Sequence, residues 1–230
     1  MGTVSASLII FTVRDGPPTP PSGNSNSNDK KFSLVKEFKV LIKNKNYIFL
    51  CIAYLFIHSN TAALSSMISS LTREYGYSGG DNGLFGAVYI ISGIIGSVIS
   101  GMLLDRFQKF RFTLLTTLSV AIIANILLFI TLPTGNVLLF SLNMGLNGLG
   151  IVPVSPISYG FAVELTFPTP EHVSNGLMVL LSKIYSGAIG LLSGYLSEYH
   201  DPKYAILVFI INGIISLIGC LFIKEELKRL

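Results

Sequence analysis

The sequence predicts an all-α membrane protein: a six-transmembrane-helix bundle preceded by a loop that carries a cytoplasmic amphipathic helix. Three observations lead there. Six apolar runs, at 47–71, 82–104, 112–132, 137–165, 173–197 and 204–223, are each about as long as the ~20 residues that cross a bilayer's hydrocarbon core. Of the 230 residues half are hydrophobic and only 12% are charged, against about 25% in an ordinary soluble domain. The basic residues also sort by side. If the first span starts at residue 47, thirteen of the 16 Lys and Arg fall on one side, and only Arg73 and Lys203 on the other. That bias makes the thirteen-residue side cytoplasmic. Such runs exceed any barrel strand, so the spans are helices.

In chain order, residues 1–13 read as the tail of a preceding transmembrane helix, too short to span alone. Residues 14–45 form a cytoplasmic linker and amphipathic segment. Pro17, Pro18, Pro20 and Pro21 favour extended polyproline, as a plain spacer or a docking site. From Lys30 to Lys45, Phe32, Leu34, Val35, Phe38, Leu41 and Ile42 alternate with six lysines. That pattern fits a short helix on the membrane surface with lysines toward anionic headgroups, or else a solvated basic linker. Residues 46–223 hold the bundle and 224–230 a cytoplasmic tail. Connections such as Pro133 to Asn136 are short, so successive spans are antiparallel hairpins.

Within the spans, the second carries small residues four apart, including Gly93, Gly96, Ser97, Ser100 and Gly101, which let helix backbones approach. The fourth carries Asn143, Asn147, Pro153 and Pro156. Two prolines three apart remove backbone donors and predict a helix kink, either structural or lining a substrate path. The fifth holds Lys183 near its middle. Lysine at that depth costs roughly 2.5–3.5 kcal/mol on translocon scales, so it does not face lipid. Gly176, Gly187, Gly190 and Gly194 lie within about 40° of it at 100° per helical residue. A groove with one charged finger results. It either packs a neighbouring helix, with Lys183 donating to carbonyls freed by Pro153 and Pro156, or lines a central cavity. We expect the cavity, with His58, Thr61, Asn143 and Asn147 as polar neighbours, where Lys183 binds an anionic or zwitterionic group or exchanges a proton.

The turn between the second and third spans reads Gly101, three residues, Asp105-Arg106, then Lys109 and Arg111. It resembles the signature loop of the major facilitator superfamily, and departs from it at Gln108, where the family pattern has glycine. Further on, Gly160-Phe-Ala-Val-Glu164-Leu-Thr-Phe-Pro168, Glu171 and Ser174-Asn-Gly176 resemble the feline leukaemia virus subgroup C receptor-related transporters, a branch of that superfamily. Arg14-Asp-Gly-Pro-Pro resembles that branch's central loop. The resemblance covers nearly the whole chain but only the family's second half. It implies a carboxyl-terminal half-bundle whose partner is a missing six-helix first half or a second copy. It also implies alternating-access transport of a small organic solute; members are linked to choline, haem or vitamins. The superfamily pattern further implies a conformational charge network of Gly101, Asp105, Arg106, Arg111 and Glu164, with Glu164 near an arginine.

Two departures bear on cargo. Choline-carrying relatives place an aromatic ring where this chain has Asn60 to Ala63, and a neutral Gln where it has Lys183. A cation cage needs aromatic faces and no fixed positive charge, so choline fits poorly. His58, His172 and His200 are scattered and Cys51 and Cys220 lie in apolar runs, so no metal set, cofactor or disulfide framework is expected. A net charge of +4 spread in this way gives no nucleic-acid surface. An intramembrane enzyme lacks a nucleophile–base pair or metal set. A non-transporting binding protein or complex subunit that keeps the half-bundle stays open beside the transporter.

Overall fold

The computed structural model describes residues 34–225. The expectations for residues 1–33 and for Lys228 and Arg229 lie outside the described residues. Among those described, regular structure is helical: α1 (Leu34–Lys43), α2 (Lys45–Arg73), α3 (Gly79–Phe107), α4 (Phe110–Thr131), α5 (Val137–Ile151), α6 (Val154–Thr166), α7 (Glu171–Tyr199) and α8 (Lys203–Leu221), with a 3-10 turn at Leu132–Thr134. Six spans are long and apolar enough to cross a membrane: α2, α3, α4, α5 with α6, α7 and α8. They match the apolar runs of the sequence to within three residues at each end.

Local chemistry sets the ends. The Asn44 side chain caps α2 by accepting the Tyr47 N–H. Ser78 and Asp81 form a reciprocal capping box that starts α3. Gln108 ends α3 in the left-handed region, with φ +50°. The family pattern's glycine would suit that conformation better, since a Cβ there crowds the backbone. The fourth span breaks between α5 and α6 at Val152 and Pro153. Pro153 and Pro156 lack N–H groups, so the Leu149 and Val152 carbonyls lose their usual partners. The Ser155 N–H takes the Val152 carbonyl in a tighter turn. The Leu149 carbonyl meets α3 instead: a Cβ on Gly96 would come within 2.8 Å of it. A Cβ on Gly148 of α5 would meet the Tyr89 carbonyl more closely still. These two glycines let α3 and α5 cross backbone to backbone, the contact that small residues make in membranes.

α2 packs against α6, α7 and α8, and α4 against α5 and α8. Two buried clusters stack along the bundle. One gathers Tyr47, Tyr54 and Ile57 of α2 with Leu118 of α4, Phe161 of α6 and Met178 of α7. The other gathers Leu64, Phe85, Leu128, Phe140 and Phe209. Polar pairs stitch α8 to its neighbours. Asn212 Nδ2 donates to Asn60 Oδ1 at 2.9 Å, and Ser216 Oγ donates to the Ala53 carbonyl at 2.6 Å. Such interhelical bonds average about 0.6 kcal/mol in membranes.

The helix ends sort into two levels. At one, Asn44 Nδ2 donates to the Leu165 carbonyl (2.8 Å), Tyr47 Oη to the Ser174 carbonyl (2.5 Å), and the Lys224 N–H to Asn46 Oδ1 (3.1 Å). At the other, Tyr75 Oη donates to Asp201 (2.8 Å) and Tyr77 Oη to the Leu132 carbonyl (3.2 Å). Successive spans are therefore antiparallel.

Candidate functional site

Polar side chains collect along one face of α2. Tyr54, His58, Thr61 and Ser65 are spaced four, three and four residues apart, so they share that face. Toward α6 and α7, the Tyr54 and Tyr159 hydroxyls share a hydrogen bond at 2.7 Å. The His58 ring lies 4.9 Å from that of Tyr54. His58 Nδ1 is buried with no hydrogen-bond partner. Toward α3, Thr61 and Ser65 line a cavity of about 370 Å³ with Leu64, Tyr89 and Met144. There the Tyr89 hydroxyl approaches Thr61 Oγ1 at 3.4 Å.

Lys183 is exposed on α7. It stands between two faces of that helix. Ser182, Ser186 and Ser193 are buried on one side, and Leu180, Ile184 and Leu191 are exposed on the other. A Cβ added at Gly176, Gly187, Gly190 or Gly194 would meet nothing within 4 Å. The glycine stripe is thus an open groove among the described residues, not a helix contact. Lys183 donates no hydrogen bond there to a carbonyl of α5 or α6.

His58 and Thr61 share one face of α2, and Lys183 stands exposed on α7, which packs against α2. Asn143 and Asn147 turn toward α4. With its amide oriented to satisfy its surroundings, Asn143 donates to the Ala124 carbonyl (3.2 Å) and accepts from the Leu128 N–H (2.7 Å). Asn147 Nδ2 donates to Asn125 Oδ1 at 3.2 Å. Both are buried against α4, with Asn147 Oδ1 and Asn125 Nδ2 left without a hydrogen-bond partner. Their hydrogen bonds hold α5 to α4.

No ion pair joins Glu164 to Arg106 or Arg111 among the described residues. Arg111 Nη2 donates to the Leu221 carbonyl at 2.7 Å, and its backbone N–H reaches Glu225 Oε1 at 3.4 Å. The physical reason is the end of α8, whose last carbonyls lack intrahelical donors and attract a cation. The Arg106 guanidinium lies 5.6 Å from the Phe107 ring centroid. Asp105 is exposed beside it, and Gly101 sits one turn earlier with open space around it. Glu164 Oε2 is buried with no hydrogen-bond partner.

Sequence reasoning missed Tyr54, Ser65, Tyr89 and Tyr159. Helical spacing from His58 and Thr61 could have found the first two. Tyr89 and Tyr159 come from other spans and carry no local signal. Tyr89 also amends the reading of the cavity: α2 has no ring at Asn60 to Ala63, yet α3 supplies one beside Thr61.

Comparison with known proteins fits this architecture. A family model described as Major Facilitator Superfamily matches residues 1–184. The choline/ethanolamine transporter flvcr2a of Danio rerio is 26% identical over 96% of this chain and 48% of its own length. The choline/ethanolamine transporter FLVCR2 of Homo sapiens is 25% identical over the whole chain and 44% of its own length. This chain therefore spans less than half the length of these relatives. They are transporters, in keeping with the expectation of a non-enzyme. Among solved structures, the E. coli fucose:proton symporter FucP shares the fold, with a TM-score of 0.69 and 15% identity over 96% of this chain and 52% of that one. With the family model covering most of the chain and the same helical architecture in a solved member, this integral, multi-pass membrane chain belongs to the major facilitator superfamily.

Proposed function

We propose that this chain is the carboxyl-terminal six-helix half of a secondary transporter that moves a small organic solute by alternating access. One observation carries the reading: Lys183 stands exposed at mid-span on a face of α7 whose four glycines are open. A lysine at that depth is tolerated where it faces water or a solute. Alternating access uses two halves rocking about a shared midplane site, so a six-helix half supplies one wall. A second half, from the same gene product or a second copy of this chain, supplies the other.

The substrate is an organic anion or a zwitterion whose acidic end meets Lys183. Relatives named for choline and ethanolamine carry cations, and a fixed positive charge in the wall disfavours those. The lysine-rich end of the bundle faces the cytoplasm, by the distribution of basic residues. The test is tracer uptake by the assembled transporter, comparing small carboxylates with choline in the wild type and in Lys183→Gln. The reading expects anion uptake to collapse in the variant while choline uptake holds or rises. Equal uptake of both by both proteins would overturn it.

A further inference from the structure

Where α1 turns into α2, the chain forms a corner held from inside. Leu41 is fully buried, and the Asn44 side chain both caps α2 and donates to the Leu165 carbonyl of α6. Between this corner and the loop after α6 lies a crevice of about 480 Å³. Lys43, Lys45 and Asn46 line one wall, and Phe167 and Pro168 line the other. Both lysines are exposed, and none of the lining residues is acidic. Two apolar side chains that line the crevice stay uncovered: Val40 is 56% exposed and Phe167 48%.

We infer that this crevice holds the phosphate-bearing headgroup of an anionic phospholipid. The charge is right, because two lysines face a site with no carboxylate. The depth is right, because the crevice lies at the ends of spans α2, α6 and α7, where headgroups sit. The first-turn N–H groups of the 29-residue α2 add a positive partial charge at the same wall. The exposed apolar fringe separates a lipid from a free anion. A soluble phosphate gains nothing from Val40 and Phe167, whereas an acyl chain covers them. The headgroup thereby fastens the amphipathic helix to the bundle at the membrane surface.

The test uses the full chain in nanodiscs of neutral lipid, titrated with dioleoyl phosphatidylinositol 4-phosphate, with bound lipid counted by native mass spectrometry. Surface lysines contribute about 1 kcal/mol each toward anionic lipid, so Lys43→Gln with Lys45→Gln weakens retention roughly tenfold or more. Lys43→Arg with Lys45→Arg keeps it, which separates loss of charge from loss of fold. Lys109→Gln with Lys224→Gln removes two charges at the same end and leaves retention within about twofold. Equal loss in that control would mean diffuse attraction and overturn the inference. So would full displacement of the lipid by an equal concentration of inorganic phosphate, or unchanged retention in the Lys43/Lys45 glutamine variant.

Discussion

Replacing Gly148 by alanine tests how the bundle is held at its tightest crossing. A Cβ at Gly148 runs into the Tyr89 carbonyl and comes within 3.0 Å of Ser92 Oγ. The obstacle is mainly backbone, so α3 and α5 must move apart. Overpacking of that kind costs about 1–3 kcal/mol. Gly187→Ala is the internal control, because its Cβ would meet nothing within 4 Å. Alanine there gains roughly 0.5–1 kcal/mol of helix propensity. For a chain of this length 1 kcal/mol moves Tm by about 2–4 °C. Thermal unfolding in nanodiscs then places Gly148→Ala about 2–12 °C below wild type, and Gly187→Ala level with it or slightly above. If Gly148→Ala melts with the wild type, or Gly187→Ala falls as far, the distinction between a closed crossing and an open groove is wrong.

Other perturbations probe separate contacts. Gln108→Gly relieves the left-handed φ of +50° and should raise stability by about 1 kcal/mol, read by the same melts. Arg111→Leu removes the donor to the Leu221 carbonyl, a bond to a charged group worth about 1.5–3 kcal/mol. Hydrogen exchange at the end of α8 should speed up, and Arg111→Lys should restore only part of the protection. Tyr54→Phe leaves the Tyr159 hydroxyl without its 2.7 Å partner, at a cost of about 1 kcal/mol in the melts, while Tyr54→Ala also loses ring packing and costs more. The Asp201 carboxyl is held below its usual range by the Lys203 backbone N–H, with Tyr75 and the Lys203 charge adding and burial opposing. A depressed carboxylate contributes stability above its unfolded value and loses it as pH falls through the folded one. The gap between wild type and Asp201→Asn should therefore be open near neutral pH and close as pH falls below about 4.

The spans were legible because an apolar run long enough to cross a bilayer has few other physical uses. Their ends were less so. Lys45, Arg73 and Asp81 continue the helices into the polar interface, where charge no longer marks a boundary. The break at Pro153 was readable because proline removes a donor wherever it stands. Side-chain partners were harder. Asn143 and Asn147 sit in a span apolar on every side, so no polar stripe tells which face meets α4 and which meets a cavity. Arg111 meets the Leu221 carbonyl, 110 residues away in sequence, a contact that no local pattern shows. The Tyr54–Tyr159 hydroxyl pair spans 105 residues, beyond any periodicity. Lys183 is conspicuous in the sequence as one charge in a long apolar run, and the glycines that share its face are open in the structure.

Whether Lys183 lines the transport path is best measured by cysteine accessibility in the assembled transporter. The native Cys51 and Cys220 are both buried, so background labelling is low. Lys183→Cys should react with a membrane-impermeant, water-soluble thiol reagent, and an organic-anion substrate should slow that reaction. Ile184→Cys, one residue on and 66% exposed on the apolar face, should stay unreactive. A cysteine at 183 that reacts only with a lipid-soluble reagent, or at a rate no substrate changes, would contradict the account.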